Sequence, residues 1–314
     1  MHNKHFCIGI ESTTLNEADK KRIRHPAVVC IILFSRNFDN SAQLIRLNKA
    51  IKIIRPDILI AVDHEGGRVQ RFKSDGFHPL EPPFNLADKM DKIIAEHAKT
   101  LVLDLKKHGL DISFAPVVDC YHPQSRIIKE RAFSANPKEI CRIARIYIDA
   151  MHRYHMPATL KHFPGHGSTV ADTHLEIAID HQPFTSLAEN DLLPFISLIH
   201  EHKADAIMVG HVLYPQIDTK NIASQSPIWI ADILRKRLKF DGIIFSDDLG
   251  MFAATATSDP ESVCCRFFAA GGDIALLGND FKLIDKVLAA TPVSDYHQES
   301  VFTRRWKRFC SRLG

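Results

Sequence analysis

Eight short apolar runs, separated by segments of helical periodicity, restrict the fold of this chain more than any other property. They read as strands over Phe6-Glu11, Val28-Phe34, Ile58-Asp63, Ile112-Asp119, Ala158-His162, Ala206-His211, Gly242-Asp247 and Asp273-Leu277. Most are continuous rather than alternating, as expected of parallel strands buried on both faces. Between them, Ile94, Ala98, Leu101 and Leu105 fall on one helical stripe, and Ile140, Ala144 and Tyr147 on another. Asn136, with Pro137 next and Glu139 at the third helical position, predicts a reciprocally capped helix start; Ser226-Pro227 predicts a second start of the same kind. Eight alternations of strand and helix predict an α/β fold, a single-domain (β/α)8 TIM-type barrel over residues 1–314, with an open doubly wound sheet as the rival. No internal repeat, low-complexity tract or Pro/Ser-rich linker divides the chain.

A barrel carries its chemistry at the carboxyl ends of its strands. Here those ends are polar: Asp63-His64-Glu65, Asp119, Lys161-His162, His211 and Asp247-Asp248. Scattered over a surface they would mean little, but converging on one mouth they concentrate charge in one cleft.

Composition excludes several other classes. The 40 basic and 37 acidic residues give a formal charge of +3 without a basic block, which disfavours a nucleic-acid partner. The seven cysteines are odd in number and contain no Cys-x-x-Cys pair, which argues against a disulfide framework or zinc cluster and for a reducing compartment. The start Met1-His2-Asn3-Lys4-His5 has no signal-like apolar stretch, and nowhere do about 18 apolar residues run together as a membrane span requires. The expectation is a soluble, cytoplasmic protein.

The densest polar segment is Lys161-His162-Phe163-Pro164-Gly165-His166-Gly167, followed by Asp172-Thr173-His174. A histidine oriented by a carboxylate two residues earlier is a proton shuttle near neutral pH, although a solvated loop pair is the plainer explanation of Asp172 and His174 alone. Gly165 and Gly167 would let the loop hinge as a lid. Asp247, ending its strand after Ser246, can attack an electrophilic carbon or hold a cation; a helix N-cap or structural ion pair is the alternative. Asp248 points differently, so one aspartate can act while the other supports. Asp63 to Arg71 leaves its strand through Gly66-Gly67, and its carboxylates and guanidinium groups suit either sugar hydroxyls or a brace across the mouth. The Gly-Gly pair lacks the Lys-Ser/Thr ending of a phosphate-binding loop. His64, His162, His166, His174 and His211 with the strand-end aspartates also permit a metal centre, a second mechanistic class.

Together these segments resemble glycoside hydrolase family 3, in particular its short, single-domain β-N-acetylglucosaminidases of bacterial peptidoglycan recycling. The resemblance runs through Ile31 to Asn37, Val62 to Arg71, Phe114 to Asp119, Glu130 to Phe133, the Lys161-to-Gly167 segment, and Ile233 to Leu249. It implies a barrel and a retaining mechanism through a covalent glycosyl-enzyme intermediate. Asp247 takes the place of the family's nucleophile, His174 that of an unusual acid/base paired with Asp172, and Asp63, Arg71, Arg131, Lys161 and His162 those of its sugar contacts. Retaining glycosidases usually use two carboxyl groups about 5–5.5 Å apart. A histidine can replace the proton donor because its pKa already lies near neutrality.

Thr173 stands where many relatives have Ser, His64 where Gln is common, and Cys30 where glycine is frequent. The implied activity is exo-hydrolysis of terminal β-linked N-acetylglucosamine from muropeptides by a monomer without cofactor or metal. A family 3 β-glucosidase and a metal-dependent barrel hydrolase are the alternatives. The second domain of larger relatives is not expected, so sugar contacts should come from the barrel loops.

Overall fold

All eight apolar runs form parallel strands: β1 (His5–Gly9), β2 (Val28–Leu33), β3 (Leu59–Val62), β4 (Ile112–Ser113), β5 (Thr159–Phe163), β6 (Ala206–Val209), β7 (Ile243–Asp248) and β8 (Ile274–Leu277). The computed structural model describes residues 4–167, 178–255, 260–293 and 300–314. Hydrogen-bonded neighbours run in the order β4, β3, β2, β1, β8, β7, β6, β5. The ring closes beyond β4, where Thr159 N donates to Ala115 O (2.8 Å) and Val118 N to Lys161 O (3.0 Å). This is the expected TIM-type barrel rather than an open sheet.

The fourth strand is much shorter than the expected Ile112-Asp119. Pro116 lies in that run and has no N–H for a ladder, so only a single bridge, Val117 to Lys161, continues the pairing.

Two apolar layers explain why the strands read as unbroken runs. Successive side chains point to opposite faces. Cys7, Cys30, Ile32, Leu59, Phe114, Met208, Phe245 and Leu276 fill the barrel interior, while Ile8, Ile31, Leu33, Ile60, Leu160, Ile207 and Ile244 pack under the helices. The interior is plugged at its amino-terminal end by the helix Val301–Cys310. Phe309 of that helix lies 6.2 Å from the Phe245 ring, and Arg305 and Arg308 pair with Asp241, just before β7. The opposite, carboxyl end is left for chemistry.

Both helical stripes are buried as the periodicity demands, in Asp91–Lys107 and Pro137–Arg153, which pack on each other. Asn136 caps the second, accepting from Lys138 N at 3.0 Å. Its expected reciprocal partner is otherwise engaged: Glu139 turns to Arg142 (Nη2 to Oε1, 2.6 Å), because an ion pair one turn along offers a full opposite charge. Ser226 begins the helix Ile228–Arg237, its hydroxyl accepting from Trp229 N at 3.2 Å. Among the described residues no helix is long and apolar enough to cross a membrane.

Leu101 is fully buried between the helical layer and the barrel. Leu101→Ala should lower stability by about 2–5 kcal/mol, read as a fall in the urea midpoint at unchanged slope.

Candidate active site

Strand ends and the loops after them bring the polar residues to one cavity of about 270 Å³. Asp63 follows β3, Arg71 follows a small hairpin (His64–Gly66 with Val69–Gln70), and Arg131 comes from the turn Lys129–Arg131 beyond β4. Lys161 and His162 sit on β5, and Asp247 and Asp248 end β7. All seven line the cavity, with Ile32, Phe34, Met208, Met251 and Leu276 supplying apolar wall. Lys161 and His162 are adjacent, yet both reach the mouth. The β5 ladder slips its register against β6 between Lys161 and Phe163, and such an irregularity re-aims side chains.

One ion network forms a side of the cavity. Lys161, 1% exposed, donates to Asp63 Oδ1 at 2.8 Å and pairs with Glu65 Oε1 at 2.6 Å. Glu65 grips Arg131 in a fork, Nε to Oε2 and Nη2 to Oε1, both 2.8 Å. Arg71 reaches Asp63 Oδ2 at 3.3 Å. Burial by itself would raise the Asp63 carboxyl, but Lys161, Arg71 and Arg131 outweigh it and hold it well below the usual range. Glu65 is likewise pushed up by burial and pulled further down by Arg131 and Lys161, to about 2. The brace foreseen as one of two roles for Glu65 is therefore its observed arrangement. Arg68 belongs to the rim, where it pairs with Glu130 at 3.2 Å.

A second set orients His162. Its Nδ1 donates to Asp119 Oδ2 at 2.7 Å, and its backbone N–H donates to the same carboxylate. The carboxylate as acceptor makes Nδ1 the protonated nitrogen, while Nε2 lies 3.4 Å from the Arg131 guanidinium and can only accept there. The contact with Asp119 thus fixes the orientation of the ring. Asp119 also accepts from His166 N at 2.8 Å, tying the start of the following loop to β4.

Asp247 lines the cavity from the end of β7. Burial pushes its pKa up, but His162, His211 and the Asp248 N–H (2.8 Å to Oδ1) more than compensate, so it lies below the ordinary carboxylate value and is ionised at neutral pH. Asp248 does another job. Its carboxylate accepts from Gly250 N (2.9 Å), Gly278 N (3.2 Å) and Asn279 Nδ2 (3.0 Å), binding the end of β7 to the segment after β8. Burial raises its pKa. Both aspartates line the cavity, and Asp248 is the one bound by N–H groups of the segments after β7 and β8.

Several expectations change. His64 does not line the cavity: it is fully buried against Phe72 and Phe77, and burial lowers its pKa to about 3. Among the described residues no group of three or more His, Cys, Asp or Glu side chains is placed to hold a metal ion. Gly165 and Gly167 are required by close packing. A Cβ on Gly165 would come within 2.6 Å of the Asp191 Cβ, and one on Gly167 within 1.8 Å of the Cys120 carbonyl oxygen. Asp172 and His174 lie outside the described residues, and so does the loop expected to act as a lid. Sequence reasoning singled out Asp119 only as a polar strand end. Its role as anchor of His162 had no local signal, since the two are 43 residues apart.

A (β/α)8 barrel whose mouth combines an ionised carboxylate with a hydroxyl-matching array of carboxylates, guanidinium groups and an ammonium is the architecture of a glycoside hydrolase. The chain belongs to glycosyl hydrolase family 3: the model of that family's N-terminal domain matches residues 6–305. It is 41% identical to a beta-hexosaminidase of Hydrogenovibrio crunogenus over 90% of this chain and 80% of that protein. It is 42% identical to a beta-hexosaminidase of Pseudomonas aeruginosa over 90% of this chain and 85% of that one. Among solved structures it is similar to NagZ from Neisseria gonorrhoeae in complex with N-trifluoroacetyl-D-glucosamine, with a TM-score of 0.89 and 35% identity over 98% of this chain and 90% of that chain.

Glu65 supplies a test of the network. Glu65→Gln keeps its shape but leaves Arg131 and Lys161 short of a buried counter-charge, which should cost about 3–5 kcal/mol in denaturant unfolding at neutral pH. A carboxyl depressed to about 2 from an ordinary 4.5 stabilises the fold above the ordinary value and loses that contribution as pH falls toward 2. The difference between wild type and Glu65→Gln should therefore shrink on acidification from about pH 5 to pH 3.

Proposed function

We propose that this enzyme is an exo-acting, retaining β-N-acetylglucosaminidase that removes terminal, non-reducing β-linked N-acetylglucosamine from peptidoglycan fragments. The observation that carries the reading is the ionised Asp247 beside the Asp63, Arg71, Arg131, Lys161 and His162 array in one cavity. The beta-hexosaminidase names of its relatives and the glucosamine derivative held by the Neisseria NagZ support the choice of sugar.

In the first step Asp247 attacks the anomeric carbon. Oδ1 is held by the Asp248 N–H, which leaves Oδ2 to form the ester bond as the bond to the leaving oxygen breaks. Protonated His174 gives its proton to that oxygen, and Asp172 orients the ring and stabilises its charge. In the second step neutral His174 takes a proton from water, the water oxygen bonds to the anomeric carbon, and the Asp247 carboxylate departs. The stereochemistry is inverted twice and hence retained. A neutral imidazole suits the second step because it is not repelled by carboxylates nearby. Lys161, Arg131, Arg71, Asp63 and His162 grip the sugar hydroxyls and amide, with no cofactor or metal in either step. The enzyme works as a cytoplasmic monomer in this reading, its thiols reduced.

Asp247→Ala should abolish turnover of an aryl β-N-acetylglucosaminide, and a fluorinated glycosyl trap should leave its mass on the peptide containing Asp247. Full activity in the variant, or an adduct elsewhere, sinks the nucleophile assignment. His174→Ala should lose about 10²–10⁴-fold in rate with a poor leaving group and much less in the glycosylation step with a dinitrophenyl one, because only the former needs a proton. Equal losses on both would remove His174 from the acid role.

A further inference from the structure

The family assignment leaves His211 without a task, although it is fully buried directly behind the catalytic mouth. It follows Gly210, just past β6, and neither of its ring nitrogens reaches the cavity. Nε2 lies 3.0 Å from the Asp248 carbonyl oxygen, and Nδ1 lies 2.8 Å from Ser224 Oγ. A carbonyl only accepts, so Nε2 carries the proton; Nδ1 then accepts from the Ser224 hydroxyl. Burial lowers the pKa of this ring, in keeping with a neutral donor.

The position of this contact explains its use. The β6–β7 ladder ends with the pair Ser246 and Val209, and on the other side β7 slips its register against β8 between Phe245 and Asp248. On the β6 side pairing thus stops before Asp247, while on the β8 side it resumes after the slip with Asp248 opposite Leu276. The Asp248 carbonyl accepts from Met251 N at 2.9 Å, and His211 adds a side-chain donor from just past β6, where the β6 ladder no longer reaches. The Asp248 N–H of the same residue donates to Asp247 Oδ1 at 2.8 Å. A chain of contacts therefore runs from Ser224 through His211 and the backbone of Asp248 to the carboxylate of Asp247.

We propose that His211, oriented by Ser224, is a positioning residue that sets the attack geometry of Asp247 by holding the Asp248 peptide. It does not line the cavity. The inference rests on the reading of Asp247 as nucleophile. Misplacing a reacting group by about 1 Å can cost about 10²-fold in rate without weakening ground-state binding, so the effect should fall on the chemical step.

The experiment follows the rate of covalent labelling by an activated fluorinated glycosyl fluoride that retains the 2-acetamido group, alongside affinity for N-acetylglucosamine. His211→Phe keeps the volume and removes the donor; labelling should slow about 10- to 100-fold while affinity for N-acetylglucosamine holds. His211→Gln, whose amide N–H can reach the same carbonyl, should recover most of the rate. Ser224→Ala should show the same signature more weakly, and it decides the matter if His211→Phe does not fold. Labelling at the wild-type rate in His211→Phe or, failing that variant, in Ser224→Ala overturns the proposal. So does parallel loss of labelling and affinity that His211→Gln fails to rescue, which would make His211 a support of the whole site. Wild-type labelling at a residue other than Asp247 would instead overturn the nucleophile reading on which the proposal stands.

Discussion

Lys161 is a buried ammonium, and the mouth of the barrel is arranged around satisfying it. An isolated charge at that depth would carry a desolvation penalty of several kcal/mol, and Asp63 and Glu65 offset it at 2.8 and 2.6 Å. Glu65 in turn needs Arg131, and Asp63 shares Arg71. Its members come from three places, the segment 63–71 after β3, the turn beyond β4, and β5, so the network ties these into one rim.

Opposite that network, the β7 end separates two neighbouring carboxylates by environment. Asp248 is consumed by backbone N–H groups of the segments after β7 and β8 and becomes structure. Asp247 lines the cavity and stays ionised through its surroundings. Anchoring by fixed dipoles, with His162 held in orientation by Asp119, costs nothing at the moment of reaction because the groups are already in place.

Much of this was legible in the residues. The barrel followed from continuous apolar runs at regular spacing, since a strand buried on both faces needs both its inward set, such as Cys7 and Cys30, and its outward set, such as Ile8 and Ile31, to be apolar. The stripes of Ile94 and Ile140 were buried for the same reason at the helical period. What the pattern could not convey was competition among partners. Glu139 had a capping role open to it and took Arg142 instead; His64 looked like a member of the polar mouth and lies against Phe72 and Phe77; the fourth strand stops early at Pro116. At the two glycines read as hinges, Asp191 and Cys120 come too close for a side chain, a packing requirement that the local pattern did not show.

By itself the sequence determined which residue types stand at the strand ends and in what order, because periodicity and local punctuation are properties of neighbours along the chain. Only the tertiary structure decided which of those groups meet. Glu65 finds Arg131 across 66 residues, His162 finds Asp119 across 43, and His211 finds the Asp248 carbonyl across 37. Such contacts are chosen by barrel closure and by the cost of leaving a buried polar group unpaired, and neither is written in any local stretch.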